Sequence, residues 1–592
     1  MTRRVRIVAA TLVAGAMIAS ACAGGDDDAG TDTGTDSGAD EESADTTVDT
    51  DDTGGESTDD TGDESGDDAI EGDGEMTPQR GGTLTYLLEA ETDTWDTPNG
   101  NCAVACITVM RNVSDTLTIV NEDNQVEPFV LETFEPNEDF TEFNMTMRDG
   151  VTFHDGTPAD GAALQRHLIA QATGVLRGQW FLDLANGPAI GDPAAAEESI
   201  VLNDDDSVTV SFSRPTATFG YSIADRDGFL QSPTFWDLPD EERRGALPIG
   251  TGPFVMEEWN RGEQTTLVAN ENYWRTDSEG ETLPYLDGIN FRPVPDAGDR
   301  QAIMQSGDAD LNQDSQSVTV EFWQNDWVDE GGQLARAFPA QETTYLMLNN
   351  SQPPFDDPEV RRALAHCTDR EEYLTFRAQG NVLAEGPFAE GAPGYLEDSG
   401  FPEFDPDEGN RIFDEIGRPE VIEYGTTNVL ANLETAALFQ DQWSTNCDLN
   451  VAIDQFEQTE LITKALGGDF QLVSWRNHGQ GNPGLELEQW HSRHTEGSPA
   501  INFGRITNDT IDELLLEVRA TTDADEVDRI GQEINAEFAD QVHNIWLNHT
   551  IWSNAYPDDV HGVQEMSLES GNTVRGAVGG RVWIQEAWKE QE

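Results

Sequence analysis

Lysine is almost missing from this 592-residue chain: it occurs at Lys464 and Lys589 and nowhere else. With 32 basic against 115 acidic residues, the formal net charge is −83. A surface of that sign repels phosphate backbones and anionic headgroups, which excludes nucleic-acid binding and basic-patch docking on membranes. Cysteine is scarce too, with five residues in the whole chain. No apolar run reaches the ~20 residues that a permanent membrane-spanning helix needs. Neither Gly-x-Ser-x-Gly nor His-Glu-x-x-His occurs, so two common marks of an exported hydrolase are missing. Pairs of carboxylates carry no information in a chain with so many.

What is present begins with Arg3, Arg4 and Arg6, followed by an uncharged stretch, Ile7–Ala21, rich in Ala, Val, Ile and Leu. That pattern predicts a signal peptide over 1–21. The small residues Ala19-Ser20-Ala21 lead into Cys22 and resemble the bacterial lipobox, with Ala19 where leucine is usual. The resemblance implies that Cys22 receives diacylglycerol and becomes the new N-terminus, and two or more acyl chains suffice for stable anchoring. From Cys22 to Arg80 the chain holds 22 acidic residues and no basic one before Arg80. Without large apolar side chains, and with like charges repelling, 22–80 reads as an extended, solvated tether. From Gly81 onward 93 acidic residues face 28 basic ones, a net of −65, so the folded part is itself acidic. Such a composition suits salty surroundings, where screening shortens the reach of self-repulsion.

An exported chain meets an oxidising compartment. With Cys22 lipidated, Cys102 can pair with Cys106 and Cys367 with Cys447, one of three connectivities open to four cysteines; four buried free thiols are the alternative.

About 510 residues without a second low-complexity linker exceed what one hydrophobic core serves, so at least two lobes are expected. Strands are read at 82–88, 207–212 and 344–348, and helices at 357–366, 433–443 and 509–541, the last broken near Asp523. Asp149-Gly150 and Asp155-Gly156 mark tight turns in a hairpin-rich region. His154 beside Asp155 therefore reads as turn chemistry rather than acid-base work. Gly250, Gly252 and Pro253 punctuate a turn before a strand. Asp356, Asp357 and Pro358 start a helix, whose Arg361 and Arg362 read as ion-paired surface groups.

Six strings in order resemble one family: GGTLTYLLEAETDTWD (Gly81–Asp96), FNMTMRDGVTFHDGTPADGAAL (Phe143–Leu164), IGTGPFVMEEW (Ile249–Trp259), ANENYW (Ala269–Trp274), NNSQPPFDDPEVRRALAHCTDREEYL (Asn349–Leu374) and INFGRITNDTIDELLLEVR (Ile501–Arg519). On these the chain is identified as a member of the extracellular solute-binding proteins of family 5, the peptide-, dipeptide- and nickel-binding components of ABC importers. The resemblance implies an α/β, two-lobed type II periplasmic-binding fold. Lobe I would comprise 81–346 and 544–592, with an inserted subdomain at about 113–206, and lobe II 347–543. A monomer is implied, held outside the membrane by its lipid, with a small solute (oligopeptide, sugar or other organic nutrient) and ABC permease subunits as partners. No cofactor and no catalysis are expected.

In the family's peptide-binding members, a loop of lobe II carries a tryptophan followed shortly by an aspartate that pairs with the peptide's ammonium group. Here the loop reads Ser474-Trp475-Arg476-Asn477-His478-Gly479, and the aspartate's place falls on His478 or Gly479. A buried ammonium would lose ~2–5 kcal/mol without that partner. Trp475, Arg476, Asn477 and His478 instead offer an aromatic plane, a planar cation, an amide and an imidazole, a set suited to a sugar, a carboxylate or a heterocycle. Glu89, Glu91 and Trp95 after the first strand are the lobe I candidates, with Arg226 and Asp227 behind them. The rival reading is a nickel or metal chelate, on His478, His491 and His494, the last two spaced to share one helix face.

Overall fold

The computed structural model describes residues 77–592 except Asn101, 340–341, His478, Gln480, 497–499 and Glu592. The signal peptide, Cys22 and the tether lie outside the described residues.

The strand Thr83–Leu88 is the centre of a seven-stranded sheet, in the order 333–334, 553–556, 311–314, 83–88, 288–293, 264–269 and 254–260. It pairs in parallel with both neighbours, and so reads as an apolar run buried on both faces, with Leu84, Tyr86 and Leu87 fully buried. A six-stranded sheet, in the order 382–383, 544–550, 342–348, 472–477, 422–427 and 451–456, organises the second lobe. Helices Pro358–His366, Leu430–Cys447 and Ala524–Gln541 accompany it, around a core that includes Phe439, Trp443, Phe538 and Trp546. A four-stranded antiparallel sheet, 131–136, 142–147, 208–211 and 200–202, forms the inserted subdomain with helix Gly161–Thr173.

These sheets correct the expected boundaries. The whole strand Glu342–Leu348 belongs to the second sheet, as does Asn544–Thr550, so the chain crosses from lobe to lobe between Leu334 and Glu342 and at Ile551–Trp552. The breaks at 346/347 and 543/544 would have cut one strand and misassigned the other, because strand register, not residue chemistry, places them. The subdomain likewise runs past 206, since Val208–Ser211 pairs with both Glu142–Met147 and Ile200–Leu202.

Part of the acid surplus has a local use. Asp160, Asp192, Asp296, Asp357, Asp369, Asp405 and Asp523 are helix N-caps whose side chains accept a backbone N–H. Each such cap stabilises by about 0.5–2 kcal/mol. Asp523 caps Ala524–Gln541 directly after the break that follows Asp509–Val518. Gly150 and Gly156 take positive φ at the two turns, as their hairpins require. Arg361 differs from its expected surface role: it is 4% exposed and donates to the carbonyls of Phe355, Gln541 and Val542, while Arg362 donates to Asp540 O. Both satisfy orphan carbonyls at the end of helix Ala524–Gln541.

Disulfides join Cys102 to Cys106 and Cys367 to Cys447. The second closes a loop of 80 residues and ties the ends of helices Pro358–His366 and Leu430–Cys447 inside the lobe II core. Loop-closure entropy assigns a link of that span roughly 4 kcal/mol, against much less for the short one. Chemical denaturation of a Cys367→Ser/Cys447→Ser double variant is therefore expected to show a loss near that size, and Cys102→Ser/Cys106→Ser a markedly smaller one.

Candidate functional site

Where the chain first enters lobe II, Glu342 is 1% exposed and accepts Arg476 Nε at 3.1 Å and Trp552 Nε1 at 3.2 Å. Arg476, on the strand Leu472–Asn477, also donates from Nη1 to Ser315 Oγ of lobe I at 2.9 Å. That serine donates through Oγ, at 2.9 Å, and through its backbone N–H to Glu89. Behind Glu89 stands Arg300, 3.5 Å away and itself held by Asp314 at 2.8 Å. Burial pushes the Glu89 carboxyl upward, opposed by the positive charges of Arg476 and Arg300. A continuous polar chain thus runs from Arg300 through Glu89 and Ser315 to Arg476 and Glu342, across the gap between the lobes.

A second crossing lies beside the Trp475 loop. Arg581 Nη2 donates to Gly479 O at 2.8 Å, and Asn124 donates to Gly481 O at 3.2 Å. At the mouth, Asp183 of the subdomain takes Arg493 and Arg519 of lobe II at 2.8 Å each, with Arg214 at 3.3 Å. Ala217 N–H donates to Arg519 O at 2.8 Å nearby. The lobes therefore touch at the hinge, at the loop and at the mouth, which is a closed arrangement.

Of the sequence candidates, Glu89 and Arg476 meet through Ser315, and Arg226 donates to Cys102 O at 3.4 Å among Arg177, Asp225 and Arg581. Trp475 is half-buried and packs edge-on against Phe503, with ring centroids 5.2 Å apart, on the lobe II core. Asn477 ends its strand, but its side chain and all of His478 lie outside the described residues. Three candidates are corrected. Glu91 is exposed and accepts Trp259 Nε1 and Gly262 N, fixing a hairpin turn. Trp95 is 1% exposed in the lobe I core, 5.2 Å from Trp259. Asp227 is fully buried in a bidentate pair with Arg177 at 2.5 and 2.6 Å. Glu91 and Trp95 follow the first strand and Asp227 lies in a turn, and the direction of each side chain takes it away from the cleft.

The His-x-x-His pair does not share a helix face either. His491 caps a single 3-10 turn, Ser492–His494, and lies 3.3 Å from Asp512, whereas His494 Nε2 accepts from Arg493 at 2.8 Å. Among the described residues no three His, Cys, Asp or Glu side chains are grouped to hold a metal ion. Sequence reasoning missed Ser315, Glu342, Arg300 and Asp183, which carry the lobe contacts. Only a knowledge of which strands cross could have found them.

A family model described as bacterial extracellular solute-binding proteins, family 5 Middle, matches residues 125–496. The probable D,D-dipeptide-binding periplasmic protein DdpA of Escherichia coli is 24% identical over 445 residues, covering 74% of this chain and 82% of that protein. DppA from Helicobacter pylori, solved with the peptide STSA, superposes with a TM-score of 0.72 at 18% identity, over 87% of this chain and 99% of its own. AgaA from A. tumefacien R10, solved with agropinic acid, gives 0.70 at 20% identity, over 86% and 99%. At these identities the two structures establish the fold, a two-lobed binding protein.

The mouth contact yields a test of closure. Asp183→Asn leaves Arg493 and Arg519 without their shared carboxylate, so the open form gains population and solute affinity falls by about tenfold. Small-angle scattering of the unliganded variant should show a larger radius of gyration than the parent. An unchanged radius together with unchanged affinity would show that Asp183 does not latch the lobes.

Proposed function

Because the chain belongs to the bacterial extracellular solute-binding proteins of family 5, we propose that it captures between its lobes a small organic solute recognised without an ammonium group. It passes that solute to the permease subunits of an ABC importer. The same reading makes it a monomer with no catalytic step, working outside the cytoplasmic membrane and tethered by lipid on Cys22. Among the described residues no helix is long and apolar enough to cross a membrane.

One observation carries the ligand reading. In the loop where the place of the ammonium-pairing aspartate falls on His478 or Gly479, the guanidinium of Arg581 donates to Gly479 O at 2.8 Å. A peptide's α-ammonium placed there finds an arginine already paired with Asp225 and no aspartate in the loop, a penalty of ~2–5 kcal/mol relative to a paired site. The solved relatives support a fold that houses both kinds of ligand, since DppA holds a peptide and AgaA holds agropinic acid.

A library of di- to pentapeptides is expected to leave the melting temperature of the full-length protein unchanged, whereas the solute released from natively purified protein, identified by mass spectrometry, raises it. A ligand at a hundredfold excess over Kd stabilises by about 2.7 kcal/mol, so a true binder is visible in such a scan. Tight binding of generic peptides would refute the absence of ammonium recognition.

A further inference from the structure

This acidic chain gathers a nest of five arginines where its lobes meet: Arg111, Arg177 and Arg581 are buried, and Arg226 and Arg575 are half-buried. Arg111, Arg177, Arg226, Arg575 and Arg581 act on one another and on Asp225 and Asp227. Asp227 is taken by Arg177, and Asp225 Oδ2 by Arg581 at 2.8 Å. Arg111 stands 4.0 Å from Asp225 Oδ1, and its Nε has no partner. Arg226 makes one long bond, 3.4 Å to Cys102 O. Arg575 donates to the Asn124 side-chain oxygen at 2.6 Å and lies over the Phe338 ring. Two carboxylates thus stand among five guanidiniums: Asp227 pairs with Arg177, and Asp225 with Arg581 and, at 4.0 Å, with Arg111, while among the described residues no carboxylate lies within ion-pair distance of Arg226 or Arg575.

Desolvation pushes Arg111 down to about 9 and Arg226 and Arg575 down to about 10, so all three remain cationic at neutral pH. A surplus of guanidiniums over carboxylates, partly withdrawn from water, favours an anion that completes the set. The acid-rich surface does not supply it, because screening confines exposed charges to a range of ~8 Å at physiological salt. Arg226 and Arg575 keep part of their surface exposed, so their donors are within reach of a ligand. The lobe II loop approaches them through Gly479 and through Gly481, whose positive φ of 75° brings its backbone close enough that a Cβ would lie 2.6 Å from Arg575 Nη1.

We propose that this nest recognises a small organic acid carrying at least two carboxylates, whose oxygens take the donors of Arg226 and Arg575 left without a carboxylate partner. Planar guanidiniums match carboxylates two bonds at a time, which gives direction as well as charge. The proposal rests on the solute-capture reading and names the class of its solute.

The full-length protein is titrated with succinate and citrate, with succinamide and glucose as neutral probes, and with the solute eluted from native preparations, following melting temperature and calorimetric heat. The eluted solute is expected to be a polyacid, and succinate or citrate to stabilise where succinamide does not. Arg226→Gln and Arg575→Gln should each weaken acid binding at least tenfold. Arg226→Gln should leave the melting temperature of the unliganded protein unchanged, since its guanidinium makes one long bond, whereas Arg575→Gln also loses the Asn124 bond and the Phe338 contact, so its ligand-induced shift is read against its own unliganded melting temperature. Arg529→Gln, an exposed control, should change nothing. A neutral eluted solute, or acid binding indifferent to both cleft variants, overturns the acid assignment and leaves solute capture standing. A native preparation that carries no solute and binds no probe in any arm overturns both.

Discussion

Glu342 is the group on which the geometry of the cleft depends. It is buried at the first crossing between the lobes and gathers Arg476 from the second sheet and Trp552 from the return crossing. Because the two crossings lie side by side, one carboxylate reports to both, and through Arg476 and Ser315 its position is passed to Glu89 and Arg300. Hinges of this kind absorb rotation in a few residues while the lobes move as bodies. An unpaired charge at such a point would be expensive, so the pairing also limits the angles at which the lobes can meet.

The distribution of cations follows from their scarcity. In a chain of 115 acidic residues, 32 basic ones cannot neutralise the surface. Several arginines stand instead where direction matters: across the mouth on Asp183, at the end of helix Ala524–Gln541, at the hinge and in the nest beside Gly479. Arginine suits these places better than lysine because its fork bonds several acceptors at once and it is less strongly hydrated. The surface acids are left to repel one another under salt screening, and some of them cap helices.

The contrast between surface and cleft bears on recognition. A strongly negative exterior does not draw anions toward the protein over long distances. Discrimination by charge then falls to the cleft, where a lower dielectric strengthens each guanidinium. The loop that lacks the aspartate is also the one whose Gly479 carbonyl an arginine reaches.

Residues alone determined the class of fold and several of its joints. The break near Asp523 was legible because an aspartate cap has a local mechanism, and the turns at Gly150 and Gly156 because positive φ selects glycine. The ordered family strings carried the two-lobed architecture, and the Trp475 loop carried the doubt about peptides. The lobe boundaries were not legible, since whether Glu342–Leu348 joins one sheet or the other depends on partners more than a hundred residues away. Nor were Trp95, Glu91 and Asp227 separable from Glu89 in the sequence, because each is plausible in a cleft until packing assigns its direction. The arginine nest is the clearest case. Its members come from a helix, two turns and the C-terminal tail, and only the folded chain brings their charges together, since electrostatic interaction depends on distance in space and not along the sequence.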